Sequence, residues 1–241
     1  MIKLFKRIRQ NLISKGNTGK YLTYAFGEII LVVIGILIAL QINTWNEARK
    51  NKALEKSMLE NLVQNLEQNS DKMKSHIKSI NFYRKSGAVV LAAIENKLID
   101  QDALEDQFHK ALMNTSSVGL SETGYTVIKN NGFKIIRNQT LKNELMAFFE
   151  DTQPHLLGDL SWGTIDIADR EKFVDEHFIQ LSNENGLTYK PFNLERLLNN
   201  DYFIALVHKT DVQRGWFTII LERHLKDTQE MIKKIKEELN K

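Results

Sequence analysis

Polar and apolar residues follow three regimes along this chain. Residues 1–20 mix basic and apolar positions. From Tyr21 to Ile42 almost every residue is apolar, with the carboxylate of Glu28 near the start. Beyond about residue 46, apolar residues recur at three- and four-residue spacings between polar ones, the signature of amphipathic helices. The uninterrupted apolar core, Ile29 to Leu40, is 12 residues long, which by itself suits a buried helix. Extended to Tyr21–Ile42 it becomes 22 residues, or roughly 33 Å of helix against a hydrocarbon core of about 30 Å. Tyr21 and Tyr24 at one end and Trp45 at the other suit the two interfaces, where amphipathic rings prefer to sit. A cleaved signal peptide is the competing reading. The 20-residue lead and the lack of a small-x-small site before Gln41-Ile42-Asn43 favour an anchor that stays.

The third regime predicts a succession of helices. The membrane helix is expected to continue through Leu54, Met58, Leu62, Leu66, Met73, Ile77 and Ile80, a stripe suited to one face of a bundle or to a parallel coiled coil between subunits. Gly87 then precedes a more apolar helix, Ala88 to Ile94, and Asp102 to Met113 forms another. Ser121 and Gly132 are expected to bound a short helix, and Asn138 to cap Leu141 to Glu150. A longer helix is predicted from near Pro154 to Ser182. The Asn183-Glu184-Asn185-Gly186 turn and Pro191 mark the clearest loop. A final helix, Asp201 to Leu239, is expected to bury Trp216, Ile220, Met231, Ile235 and Leu239. With only two prolines and no alternating run bounded by turn residues, the fold class is all-α. The organisation reads as a basic arm (1–20), a transmembrane helix (21–45) and one extracytoplasmic helical bundle (46–241). No second apolar span occurs in these residues.

Charge changes this picture by giving it a direction. Residues 1–20 hold Lys3, Lys6, Arg7, Arg9, Lys15 and Lys20 without an acid, whereas Arg49, Lys50 and Lys52 follow the span beside Glu47. The excess of cations before the span predicts a cytoplasmic N-terminus, with residues from about 46 onward on the far side of the membrane. Removing the six cations of the arm leaves 27 Lys+Arg against 30 Asp+Glu, so the formal charge of +3 is a local effect and does not indicate nucleic-acid binding. Leu4, Phe5, Ile8 and Leu12 share one helical face, which suits a short helix on an anionic leaflet; a disordered flank fits as well. Zero cysteines exclude disulfides, thiolate metal sites and thiol nucleophiles.

The block from Tyr24-Ala25-Phe26-Gly27-Glu28 through Ala39-Leu40-Gln41-Ile42-Asn43, then Trp45-Asn46-Glu47 and Arg49-Lys50, closely resembles the signature of an uncharacterised single-span membrane protein family of Bacteroidota. Tyr125-Thr126-Val127-Ile128-Lys129-Asn130-Asn131-Gly132 also resembles an element recurrent in such domains. The resemblance implies an inner-membrane protein with a helical periplasmic domain and brings no activity with it.

Candidate chemistry is sparse. On a helix Glu28, Val32, Gly35, Ala39 and Ile42 alternate four and three residues apart and share one face, with Gly35-x-x-x-Ala39 a small-xxx-small pair that permits close helix approach. That set is the candidate helix-association face. Glu28 either lies sheltered in it, with proton coupling as its furthest reach, or sits in the headgroup zone beside Lys20. The six histidines show no H-E-x-x-H pattern. Asp106 with His109 reads best as a solvated helix face, and Asp175-Glu176-His177 and Glu222-Arg223-His224 as surface clusters or helix-flank histidines. Neither a phosphate loop nor a G-x-S-x-G elbow is present, so no catalytic, cofactor-binding or metal residues are assigned. Phe148, Phe149, Trp162, Phe173, Phe178, Tyr202, Phe203, Trp216 and Phe217 fit either a core or a ligand pocket. The reading that follows is a non-enzymatic, membrane-anchored scaffold or assembly subunit, its partners being the bilayer and a second copy or another membrane protein. The alternative is a tethered sensory or ligand-binding module whose ligand the sequence does not name.

Overall fold

The computed structural model describes residues 18–95, 101–113, 118–161, 167–183 and 186–241. Residues 1–17 of the basic arm and Trp162 therefore lie outside the described residues, while Thr18, Gly19 and Lys20, expected in the arm, are already helical. The chain divides into two units at Glu55/Lys56. The described part of the first belongs to helix α1, Thr18–Ile94. No proline interrupts these 77 residues, and an isolated helical glycine costs only about 1 kcal/mol. Gly87 consequently does not start a new helix, contrary to expectation; it is buried inside α1.

The second unit is helical with one small hairpin. After α1 come α2 (Gln101–Leu112), α3 (Thr123–Asn131), a 3₁₀ turn (Phe133–Ile135), α4 (Gln139–Ala147), a π turn (Phe148–Thr152), α5 (Gln153–Ser161), α6 (Ile167–His177), β1 (Phe178–Asn183), β2 (Gly186–Pro191), α7 (Leu194–Leu198) and α8 (Asp201–Leu239). The all-α class holds. Asn138 caps α4 as expected, its Oδ1 accepting from the Leu141 N–H at 3.1 Å. Ser121 lies one residue outside the cap position of α3, accepting from the Thr123 N–H at 3.3 Å. Gly132 ends that helix at φ 85°, where a side chain would be strained.

α8 runs antiparallel to the later part of α1. Arg84 pairs with Asp211 at 2.9 Å, and Lys236 with Glu67 at 2.7 Å. Three apolar clusters line this pair. Met58, Leu62 and Leu66 pack with Tyr125, Leu141, Leu145, Phe149 and Ile235. Met73 and Ile80 meet Leu156, Phe217 and Leu221. Val90 meets Phe108, Phe173, Phe178, Phe203 and Val207. Most of the predicted stripe is thus core, except Leu54, which is exposed. Gly124 allows α3 to approach closely: a Cβ there would lie 2.9 Å from Leu62 Cα.

One expectation fails in the stretch from Pro154 to Ser182. The predicted single helix is α5, then α6, then strand β1. Phe173, His177, Phe178 and Leu181 fit a helical spacing, but Phe178–Asn183 pairs antiparallel with Gly186–Pro191, in register Asn183↔Gly186. The residues that bound the predicted turn, Asn183 and Gly186, are therefore the last pair of a hairpin. A lone two-stranded ribbon is marginal in water; this one packs β2 on α2, and the Thr188 hydroxyl donates to Glu105 O at 3.2 Å. Pro154 lacks the N–H that a regular helix would direct to Glu150 and crowds that carbonyl. The backbone widens there into the π turn, with Gln153 N–H reaching Phe148 O. Trp216 is also corrected, being exposed on α8 where burial was expected.

Candidate functional site

Glu28, Val32, Gly35 and Ala39 occupy one side of α1, as their spacing requires. Val32 is 53% exposed, and a Cβ on Gly35 would meet nothing within 4 Å. The same holds for the whole segment: its most apolar 18-residue window has a mean hydropathy of 2.5 and no buried residue. Polar groups at its ends are satisfied on the helix itself. Thr23 donates to Gly19 O at 3.1 Å and Thr44 to Leu40 O at 2.9 Å. The Arg49 guanidinium lies over the Trp45 ring, 5.5 Å from its centroid, pairing a cation with an aromatic just past the apolar run. Among the described residues, one helix is therefore long and apolar enough to cross a membrane.

A second site, unforeseen from sequence, lies in the helical unit. A cleft of about 400 Å³ opens between the end of α2 (His109, Leu112, Met113), α6 (Arg170, Glu171, Val174, Asp175) and the hairpin (Gln180, Tyr189). His109 meets the Tyr189 ring edge-on at 4.8 Å. Burial, with Lys110 nearby, holds the imidazole below its ordinary pKa, so it is neutral at neutral pH. Burial raises the Tyr189 phenol, Asp175 and Glu171 raise it further, and Arg170 opposes them. Gln180 donates to Asp175 at 2.9 Å and holds that carboxylate against the hairpin. Asp106 is exposed whereas His109 is half-buried against Tyr189, so the predicted solvated Asp106/His109 face is only half right.

Two buried arginines brace the end of α2, of which Arg170 lines the cleft. Arg214 on α8 is 2% exposed and donates to Lys110 O and Met113 O, at 2.8 and 2.6 Å, and to Tyr83 O at 3.1 Å. Arg170 donates to Leu112 O at 3.0 Å. Both cations thus sit on the carbonyl end of α2, where the helix dipole is negative. Desolvation pulls the Arg214 pKa down to about 10, leaving it charged. A signal for Arg214 was present: Val207, Thr210, Arg214, Phe217 and Leu221 continue one buried stripe through it.

His224, expected in a surface cluster or as a helix-flank histidine, is buried and stacks on Phe148 at 5.3 Å, 14° from parallel. It lines a smaller cavity of about 180 Å³ with Thr152, His155 and Asp227. Burial depresses its pKa, with Asp227 opposing. His177 stacks on Phe173 at 4.0 Å, a helix-flank histidine as read. Among the described residues, no group of three His, Cys, Asp or Glu side chains is placed to hold a metal ion. Of the aromatic set, Phe148, Phe149, Phe173, Phe178, Phe203 and Phe217 are core, while Tyr202 and Trp216 are exposed. In the Tyr125–Gly132 segment, the Tyr125 hydroxyl donates to Glu150 at 2.9 Å and the ring stacks on Phe149 at 4.3 Å. Lys129 completes the group at 3.0 Å, and these two donors hold the Glu150 carboxyl below its usual range.

Residues 28–140, a little under half of the chain, are similar to a family of unknown function, DUF6090. That similarity takes in α1 from Glu28, α2 and α3, and stops before α6, the hairpin and α8. Neither a curated protein nor a solved structure matches the chain.

Proposed function

We propose that this chain is a non-enzymatic, single-pass membrane protein that self-associates or holds a membrane partner through Glu28, Val32, Gly35 and Ala39. The observation behind it is the run from Leu22 to Ile42, whose large apolar side chains all stand exposed. Water is a poor solvent for such a surface and a bilayer is a good one. In this reading the basic arm lies in the cytoplasm, the span crosses the inner membrane of a bacterium, and residues from about 46 onward form a periplasmic domain. Gly35 and Ala39 admit close approach of a second helix, and Glu28 on the same side is sheltered by it.

The test is light scattering of the full-length protein in detergent. An oligomer that Gly35→Leu reduces toward monomer is the expected result. A strict monomer unchanged by Gly35→Leu would sink self-association. Accessibility of added cysteines at Ser14 and Asn240 to a membrane-impermeant thiol reagent tests the orientation, with only the Asn240 position labelling from the periplasm.

The cleft beside Tyr189 favours a second reading, a tethered ligand-binding module. A thermal-shift screen of the full-length protein in which no compound raises the melting temperature would count against it.

A further inference from the structure

We propose that the cleft between α2, α6 and the β hairpin binds a small organic cation, a primary or quaternary amine, between the rings of Tyr189 and His109 and the carboxylates of Glu171 and Asp175. This rests on the second reading above and names the ligand class. At about 400 Å³ the cleft falls in the range of small-molecule sites. Three separate elements build it, so it is a formed concavity and not the surface of one helix.

Its chemistry favours positive charge. Glu171 and Asp175 stand one turn apart on α6, both exposed, and like charges at that spacing repel each other. A cation between them removes the repulsion. Gln180 fixes Asp175 by its 2.9 Å hydrogen bond, so that carboxylate is already placed. Tyr189 and His109, un-ionised at neutral pH, meet edge to face at 4.8 Å and supply aromatic surface of the kind that attracts alkylammonium groups. Arg170, the one fixed cation among the lining residues, is 8% exposed and donates to Leu112 O in the wall. The charges that meet solvent are therefore the two carboxylates.

Calorimetric titration of the full-length protein in detergent at neutral pH and low salt, with putrescine and with choline as probes, tests this. At least one amine should bind saturably. Affinity should fall about tenfold or more in Glu171→Gln/Asp175→Asn and in Tyr189→Leu, and less than about threefold in Tyr189→Phe. The Gln and Asn changes are isosteric and exposed, so unchanged melting temperatures would show that the fold persists. No saturable binding of either amine up to about 10 mM, equal affinity in the double variant, or binding of succinate in place of the amines overturns the proposal. If the amines fail while another compound in the thermal-shift screen binds, only the ligand class falls; if every compound fails, the ligand-binding reading falls with it.

Discussion

Leu37 and Leu62 belong to the same helix, yet one is 58% exposed and the other fully buried. From Leu22 to Ile42 the apolar side chains surround α1 on every side and none is covered. From Met58 to Ile80 they form one stripe, and α3, α4, α5 and α8 cover it. The difference teaches that one secondary structure can carry two surfaces suited to different solvents. An all-round apolar surface asks for lipid, whereas a stripe backed by Asn, Gln, Lys and Glu asks for neighbouring helices.

The sharpest break in that contrast comes from Arg214. Replacing it with Ala leaves Tyr83 O, Lys110 O and Met113 O without their buried donor and opens a void against α1. A loss of about 4 kcal/mol is expected, measured by urea unfolding of the full-length protein in detergent. Next comes the direct comparison of the two leucines. Leu62→Ala should cost about 3 kcal/mol in the same assay, and Leu37→Ala less than about 0.5 kcal/mol. Equal losses would mean that the two stretches are not solvated differently. Gly124→Ala places a Cβ 2.9 Å from Leu62 Cα, so α3 must back away from α1. About 2 kcal/mol of destabilisation is expected, with a lowered melting temperature.

The smallest effect is a pH dependence. The folded His224 has a pKa below its ordinary 6.5 because burial disfavours the imidazolium. As pH falls, the unfolded chain takes up this proton first. The stability due to neutral His224 is thus complete above about pH 6.5 and is lost as pH falls through the folded pKa. His224→Phe, which keeps a ring against Phe148, should flatten the fall in stability below that pH by up to about 1 kcal/mol per pH unit. An unchanged slope in the variant would show that other groups carry the acid sensitivity.

Much of the helix map was legible because each helix carried its own boundary signals. Asn138, Gly132 and the Asp201–Leu239 run needed only local chemistry to be placed. The hairpin was not legible, since Phe173, His177 and Leu181 recur every four residues as on a helix, and only pairing with Gly186–Pro191 makes Phe178–Asn183 a strand. The candidate face on α1 was legible for the opposite reason: a helix alone places Glu28, Val32, Gly35 and Ala39 together. The cleft was hidden because His109, Arg170 and Tyr189 come from three elements that meet only after α2 docks on the hairpin.

By itself the sequence determined that an apolar helix long enough to cross a bilayer precedes a helical domain. Hydrophobic length and period act within a few turns and need no partner. Only the tertiary structure decided that Trp216 faces out, that His224 and Arg214 are buried, and that a cleft forms beside Tyr189. Burial of a polar group is settled by what packs over it. For Arg214 that is the carbonyl end of a helix about a hundred residues away in the chain.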